Sequence, residues 1–106
     1  MQIQLNTDHN LTGTVGLSQH VETLLSTSLG RFSANITRVE VHLGDENSST
    51  KTGTDDKRCV LEARVAGYAP LVVTHHAATI NQALDGGVER LKHLLANTFD
   101  RRKDHR

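Results

Sequence analysis

VVTHHAATINQALDGGVERLKHLL, residues 72–95, predicts a strand that leads into one long amphipathic helix. Thr79 and Gln82 have the spacing of a capping box, in which each side chain bonds to the other residue's backbone amide, so the helix should begin there. The apolar residues of the helix recur every three or four positions and should face the core. They are Ile80, Leu84, Val88, Leu91, Leu95 and Phe99. Gly86 and Gly87 cost roughly 2 kcal/mol of helix propensity relative to two alanines, which indicates close packing of the helix backbone against a neighbour.

The rest of the chain predicts three more strands and one more helix. Strands are expected where apolar and polar residues alternate, and the helix where apolar residues recur at helical spacing. The strands are predicted at residues 1–6, 35–43, 59–66 and about 69–75, and the helix at about 16–31. Residues 44–57 have no large apolar side chain, so we expect a mobile loop that ends a long hairpin. Pro70 lacks an amide donor, which favours the edge of the sheet or the start of a strand.

This element order, βαβββα, indicates an α+β fold. A right-handed crossover through the first helix would make the first two strands parallel, and the hairpins would then add antiparallel strands. We therefore predict a four-stranded mixed sheet with two helices packed on one face. It should form a single domain over residues 1–100, followed by a basic C-terminal tail, residues 101–106. The uncovered face should carry Arg38, Glu40, His42, Glu62 and Arg64.

Charge is balanced over the whole chain but not along it. Lys plus Arg and Asp plus Glu number 12 each, so the net charge is zero. Residues 1–57 hold four bases and seven acids, whereas residues 58–106 hold eight bases and five acids. An anionic partner should therefore meet the C-terminal half. A single cysteine favours a reducing, cytoplasmic setting. The N-terminal residues lack the apolar run of a signal peptide or membrane span, so we expect a soluble protein.

The sequence offers no convincing catalytic or metal site. His75 and His76 are neighbours on a strand, so their side chains should point to opposite faces and cannot easily bind one ion. We expect them to lie at a solvated strand end. Cys59 falls on the inward face of its strand, where a core role is expected. The Gly86-Gly87 pair lacks the context of a nucleotide-binding loop. We predict no enzyme activity, metal, cofactor or small-molecule substrate.

The basic residues of the last helix and tail are the one set with a functional interpretation. Arg90, Lys92, His93, Arg101, Arg102, Lys103 and Arg106 belong to it. Such residues could contact phosphates, where affinity comes from accumulated charge and counterion release. The alternative is a solvated helix face, because Asp85, Glu89, Asp100 and Asp104 dilute the charge. Charge alone does not decide between these two interpretations.

Three segments resemble the ribosome hibernation-promoting factors, also called ribosome-associated inhibitors or sigma-54 modulation proteins. They are MQI at residues 1–3, FSANITRVEV at residues 32–41, and ALDG-x-VERL at residues 83–91. The length suits the short form of this family. The resemblance implies a double-stranded-RNA-binding-like fold. It also implies a factor that binds the small ribosomal subunit and ribosomal RNA, and that inhibits translation in resting or stressed cells.

The resemblance also implies which residues contact RNA, because family members use basic residues of both helices. Arg90 and Lys92 match the basic region of the second helix, with His93 beside them, and Arg101, Arg102 and Lys103 match its basic end. The first helix departs from the pattern. Leu25 and Ser28 occupy positions where relatives commonly have lysines, which leaves Arg31 as the nearby base. An alternative function is a protein–protein interaction module of the same fold, which would use the exposed sheet face or an unpaired edge strand.

Overall fold

The computed structural model describes residues 1–8, 15–45 and 56–104, with the backbone alone for residues 15 and 101–104. Its element order is the predicted βαβββα, with a short 3₁₀ turn added after the first helix. The elements are β1 (Gln2–Thr7), α1 (Val15–Ser28), the 3₁₀ turn (Gly30–Phe32), β2 (Ile36–Asp45), β3 (Lys57–Val65), β4 (Leu71–Ala77) and α2 (Ile80–Asp104). The predicted α+β class is confirmed.

The four strands form one mixed sheet in the order β1-β2-β3-β4. β1 and β2 are parallel, with Ile3 opposite Val39 and Leu5 opposite Val41. A parallel pair needs a crossover connection, and α1 supplies it. The β2–β3 and β3–β4 pairs are antiparallel. β1 and β4 are therefore the two edge strands, and Pro70 lies directly before β4, as its missing amide predicts.

Both helices cover the same face of the sheet and enclose the core with it. The fully buried large side chains come from α1, from its C-terminal end, from β2 and β3, and from α2; they are Val21, Leu25, Leu29, Val39, Val41, Leu43, Cys59, Leu61, Leu84, Leu91 and Leu95. Burial of one such leucine or valine contributes about 1.5–3 kcal/mol to folding. The amide of Gln82 donates to Thr79 Oγ1 at 3.1 Å, so α2 begins at the predicted cap.

The opposite face of the sheet is uncovered and carries the five charged or ionisable residues that alternation placed there. Glu40 lies at their centre. Its carboxylate is 3.5 Å from Arg38 Nη2, 3.8 Å from Arg64 Nε and 3.7 Å from His42 Nε2. Arg64 Nη2 is also 3.8 Å from Glu62. This face therefore balances its own charges.

The β2–β3 hairpin is more ordered at its base than the sequence predicts. Gly44 and Asp45 continue β2, and Lys57 begins β3, within the segment expected to be a loop. A strand ladder is held by backbone hydrogen bonds, so polar residues can join it when their charges are paired. Lys57 Nζ is 3.3 Å from Asp45 and 3.2 Å from Asp56, and these contacts, Asp56 first, raise the pKa of Lys57. Residues 46–55 lie outside the described residues.

The β3–β4 connection is tight, as Gly67-Tyr68 predicts. Gly67 has φ of 84°, a backbone conformation that favours glycine. Within the ranges that the structure describes, no helix has the length and apolar character needed to span a membrane.

Candidate nucleic-acid interface

The two predicted RNA-binding residues in the middle of α2 lie on opposite flanks of the helix. Residues two apart on an α-helix are separated by about 200° around its axis. The buried stripe of α2 lies between these flanks. Lys92 is on the flank that faces the 3₁₀ turn, where it lies near Arg31 and Phe32, whereas Arg90 is exposed on the other flank. The structure therefore separates two residues that the sequence places together.

Lys92 and His93 border a shallow hollow between α2 and the 3₁₀ turn that follows α1. Its volume is about 240 Å³. The residues that line it are Arg31, Phe32, Lys92, His93, Ala96 and Asn97. Two of the sequence-predicted bases, Arg31 and Lys92, are thus brought together although 61 positions separate them in the chain. Among the residues whose side chains the structure describes, none that lines the hollow is acidic, and Arg31 and Lys92 supply two positive charges.

Hydrogen bonds at the end of α1 and in the 3₁₀ turn fix the backbone position of Arg31. The amide of Leu29 donates to the Leu25 carbonyl at 2.9 Å and closes the last turn of α1. The Ser33 hydroxyl then donates to the Gly30 carbonyl at 2.8 Å, and the Ser33 amide donates to the same carbonyl at 3.1 Å. These bonds hold the 3₁₀ turn that carries Arg31 and Phe32.

Arg31 lies over the ring of Phe32, with its guanidinium carbon 4.6 Å from the ring centroid. The Phe32 ring is only 4% exposed and stacks on Phe99 of α2 at 5.5 Å between centroids. Tyr68 packs edge-on against Phe99 at 5.9 Å. All three aromatic residues of the chain therefore meet at this end of the core. A cation over an aromatic face gains about 0.5–1 kcal/mol at an exposed site, which favours one orientation of Arg31.

His93 is exposed at the rim of the hollow and is paired with an acid. Its Nε2 atom is 3.0 Å from Glu89, one helical turn earlier. The Glu89 carboxylate is thereby directed toward His93. His93 contributes a full positive charge only when it is protonated, so Arg31 and Lys92 carry the permanent charge here.

The Gly86-Gly87 pair packs closely against the sheet, as its helix-propensity cost predicts. A Cβ atom at Gly87 would lie 3.1 Å from Cys59 Sγ and 3.3 Å from Leu61 Cδ1. A Cβ atom at Gly86 would overlap the His75 ring. His75 is therefore half-buried beneath α2, and the expectation that it lies at a solvated strand end is wrong. His76 points to the other face and is exposed.

The basic end of α2 continues the helix that carries Lys92. The backbone of Arg101, Arg102 and Lys103 is helical, and α2 ends at Asp104. The side chains of these three residues, and all of Arg106, lie outside the described residues. Phe99, half-buried against Phe32 and Tyr68, fixes the helix one turn before this basic end.

The first helix corrects one expectation drawn from the family pattern. Leu25 is fully buried in the core, so it is not a surface position at which a lysine could contact RNA. Ser28 is half-buried, and the exposed positions nearby are Ser26 and Thr27. The exposed residues in the last turn of α1 are therefore polar and uncharged, and Arg31 is the first base after them.

Sequence reasoning missed three residues of the hollow, namely Phe32, Ala96 and Asn97. Phe32 is buried, and its ring also lies under the Arg31 guanidinium. Ala96 and Asn97 follow Lys92 and His93 by one turn, the spacing at which helix residues share a face. That spacing is the signal that could have identified them.

The other candidate chemistry is absent from the parts of the chain that the structure describes. Burial raises the pKa of the Cys59 thiol to about 12, so it stays protonated and unreactive near neutral pH. Across residues 1–8, 15–45 and 56–104, no three His, Cys, Asp or Glu side chains lie close enough to hold a metal ion.

Comparison with known proteins confirms the resemblance seen in the sequence. A family model for the Sigma 54 modulation protein / S30EA ribosomal protein matches residues 5–103. The N-terminal domain of Protein Y from Thermus thermophilus has a TM-score of 0.72 and 21% identity, covering 92% of this chain and 99% of that one. A ribosomal subunit interface protein from Coxiella burnetii has a TM-score of 0.72 and 13% identity, covering 94% and 99%.

At these identities the two structures establish a shared fold. No match was found among curated protein sequences. The family model covers nearly the whole chain, and it includes every basic residue that lines the hollow. The chain therefore belongs to the Sigma 54 modulation protein / S30EA ribosomal protein family of ribosome-associated proteins.

Proposed function

We propose that this protein binds the small ribosomal subunit in the cytoplasm and inhibits translation in resting or stressed cells. Family membership supports a ribosomal partner. The observation that carries the proposal is the hollow where Arg31 and Lys92, from different parts of the chain, present positive charge, with no acidic side chain among the described residues that line it.

Ribosomal RNA is the component of the ribosome that such a surface would bind. Phosphate contacts supply most of the affinity of proteins for nucleic acids, and each one releases counterions. Arg31 offers a planar set of hydrogen-bond donors for a phosphate, and Lys92 offers a compact positive charge. The basic end of α2, Arg101 to Lys103, extends the same helix, and Arg90 adds a cation on its other flank.

The chain has zero net charge, but its charges are distributed unevenly, so one side can still attract RNA. The uncovered sheet face pairs Arg38 and Arg64 with Glu40 and Glu62. The described residues that line the hollow include no carboxylate to pair with Arg31 or Lys92. Attraction to RNA would therefore act through one side of the molecule and orient it, rather than through its total charge.

Inhibition would follow from occupation of space and requires no catalysis. The sheet and two helices form one packed unit, which has the rigidity to block a channel. We propose that the helix side faces ribosomal RNA in the channel used by mRNA and tRNA, so that bound protein and a translating complex exclude each other.

Sedimentation with purified subunits tests this function. The protein is mixed with small or large subunits and centrifuged through sucrose at rising salt, and a matched sample is added to a cell-free translation reaction. We expect it to pellet with small subunits, to dissociate as salt rises, and to reduce translation. Failure to pellet with small subunits at low salt, or pelleting without inhibition, would contradict the proposal.

One observation favours the alternative, a protein–protein interaction module. β4 is an edge strand without Lys, Arg, Asp or Glu, and its Val72 side chain is 54% exposed. Edge strands without charge are suited to pairing with another chain. Such pairing would depend weakly on salt, whereas RNA binding weakens steeply. Association that persists unchanged at high salt and is lost on Val72→Lys would favour this second function.

A further inference from the structure

We propose that the hollow holds one unpaired RNA nucleotide, with its base stacked on the Arg31 guanidinium, its base edge bonded to Asn97 and its phosphate near Lys92. This inference rests on the proposed function and specifies which element of RNA the site recognises. Positive charge alone would bind any RNA phosphate. The proposed contacts to the base would also let the site recognise an unpaired nucleotide.

The stacking platform is Arg31 supported from below by Phe32. The guanidinium carbon is 4.6 Å from the ring centroid, so the guanidinium lies over the ring. Arg31 is also exposed and lines the hollow, so a ligand can reach the guanidinium from the solvent side. Unpaired RNA bases stack on guanidinium planes as well as on aromatic rings.

This platform is held in place before any ligand arrives. Phe32 is almost fully buried and stacks on Phe99, and Phe99 is in turn packed against Tyr68. This packing holds the Phe32 ring under Arg31 in one orientation. Because the platform is already ordered, little conformational entropy is lost in the protein when a base stacks on it, and binding is stronger.

Asn97 and Lys92 supply the other two contacts. The Asn97 amide is exposed on the lining and carries both donors and an acceptor, so it can pair with the edge of a base. Lys92 is half-buried at the same hollow and supplies a positive point charge for the phosphate. Ala96 lies between them and offers no competing polar group. Arg31 and Asn97 would thus contact the base of one nucleotide, and Lys92 would contact its phosphate.

The size and shape of the hollow favour an unpaired nucleotide over a duplex. A shallow volume of about 240 Å³ accommodates one splayed base but not a base pair. In duplex RNA the bases are stacked on each other, and proteins mostly reach its phosphates and 2′-hydroxyls. A duplex could therefore contact Lys92 and Arg31 but could not use the platform.

Binding of matched short RNAs tests the inference. The probes are a single-stranded octamer, the same octamer with every base removed, and the octamer in a duplex. All carry the same phosphates per strand, so a difference between the first two reports base contacts. We expect the protein to prefer the base-bearing single strand over the abasic one. One stacked base is worth roughly five- to 150-fold in affinity.

Arg31→Lys provides the decisive variant because it keeps the charge and removes the plane. We expect it to lose most of the preference for base-bearing RNA while the slope of affinity against salt stays unchanged. Asn97→Ala should reduce discrimination among octamers of different sequence. Arg64→Lys, the same exchange on the uncovered sheet face, is the control and should behave like the wild type. Arg31 and Asn97 are exposed, so these variants should fold, and circular dichroism checks this.

Equal affinity of the wild type for the base-bearing and abasic octamers would overturn the inference, as would an undiminished preference in Arg31→Lys. These outcomes leave sedimentation with small subunits intact, so they are distinct from failure of the proposed function. Loss of sedimentation with the RNA preference retained would overturn the function and leave the nucleotide site standing.

Discussion

The Sγ atom of Cys59 in β3 lies 3.1 Å from the point where a Cβ atom would stand on Gly87 of α2. Both residues are buried, and Leu61 Cδ1 is 3.3 Å from the same point. Glycine is favoured here because the backbone of α2 packs directly against the side chains of β3, which leaves little room for a Cβ atom. This contact sets the height of α2 over β3, and therefore the position of the helix that carries Lys92 and Asn97.

Gly87→Ala should destabilise the protein. The added methyl group gains about 1 kcal/mol of helix propensity, but overpacking a tight core costs about 1–3 kcal/mol. We expect a net loss of roughly 1 kcal/mol in urea unfolding. In a Cys59→Ala background the methyl group would occupy the space left by sulfur, and the cost should disappear. An equal cost in both backgrounds would show that Cys59 does not limit this packing.

Gly86→Ala should behave differently because its neighbour can move. The overlapping atoms belong to the His75 ring, which sits on the edge strand β4 and is only half-buried. Rotation of this ring should absorb much of the clash, so we expect little net change in stability. With His75→Ala, the same substitution should stabilise by up to about 1 kcal/mol, its full propensity gain. A large loss in both backgrounds would place the obstacle in the sheet backbone instead.

The buried Cys59 thiol should make stability depend on pH above 9. Burial raises its pKa to about 12 in the folded protein, from an ordinary value of 9.0. Between these values the unfolded chain releases the proton and the folded chain keeps it, so stability is complete below pH 9 and falls as pH rises, by about 1.4 kcal/mol per pH unit.

Comparison with Cys59→Ala isolates this effect, because all other titrating groups are common to both proteins. Under reducing conditions, the stability advantage of the wild type over Cys59→Ala should shrink steadily from pH 9 to pH 10.5. A constant difference across this range would mean that the thiol titrates normally in the folded state.

Glu40 should matter more than Glu62 for the uncovered sheet face. Its carboxylate contacts Arg38, Arg64 and His42, whereas Glu62 contacts Arg64 alone among the pairs described. Arg38 and Arg64 stand opposite each other, as do Glu40 and Glu62, and Glu40 is the carboxylate that contacts both arginines. We expect Glu40→Gln to cost roughly 1 kcal/mol at low salt and Glu62→Gln less than about half of that. High salt should shrink both losses; equal losses would contradict the central role of Glu40.

Much of this fold follows from local patterns in the sequence. Val39, Val41 and Leu43 alternate and are all buried, and Thr79 caps α2 where its spacing to Gln82 predicts. These features depend on neighbours within a few residues. The family resemblance, carried by short segments across the chain, anticipated the topology as well.

The candidate site was harder to predict because it depends on contacts between distant residues. Arg31 and Lys92 meet only because the 3₁₀ turn packs Phe32 onto Phe99. His75 was misplaced for the same reason, since its burial depends on Gly86 of another element. Arg90 and Lys92 are close in sequence, yet helical geometry separates them once the buried stripe is known.

The central claim is that the hollow between α2 and the 3₁₀ turn faces the ribosome. Two double variants that remove the same charge test it most directly. Arg31→Gln with Lys92→Gln removes the two permanent cations of the hollow, and Arg38→Gln with Arg64→Gln removes two cations from the uncovered sheet face. Urea unfolding first establishes that both proteins are folded.

Affinity for purified small subunits is then measured by sedimentation at a fixed, low salt concentration. Hydrogen bonds to charged groups are worth about 1.5–3 kcal/mol each, so the hollow variant should bind at least about tenfold more weakly than the wild type. The sheet-face variant should stay within about twofold of the wild type, a difference below 0.5 kcal/mol. Equal weakening of both variants, or wild-type affinity in the hollow variant, would contradict the account.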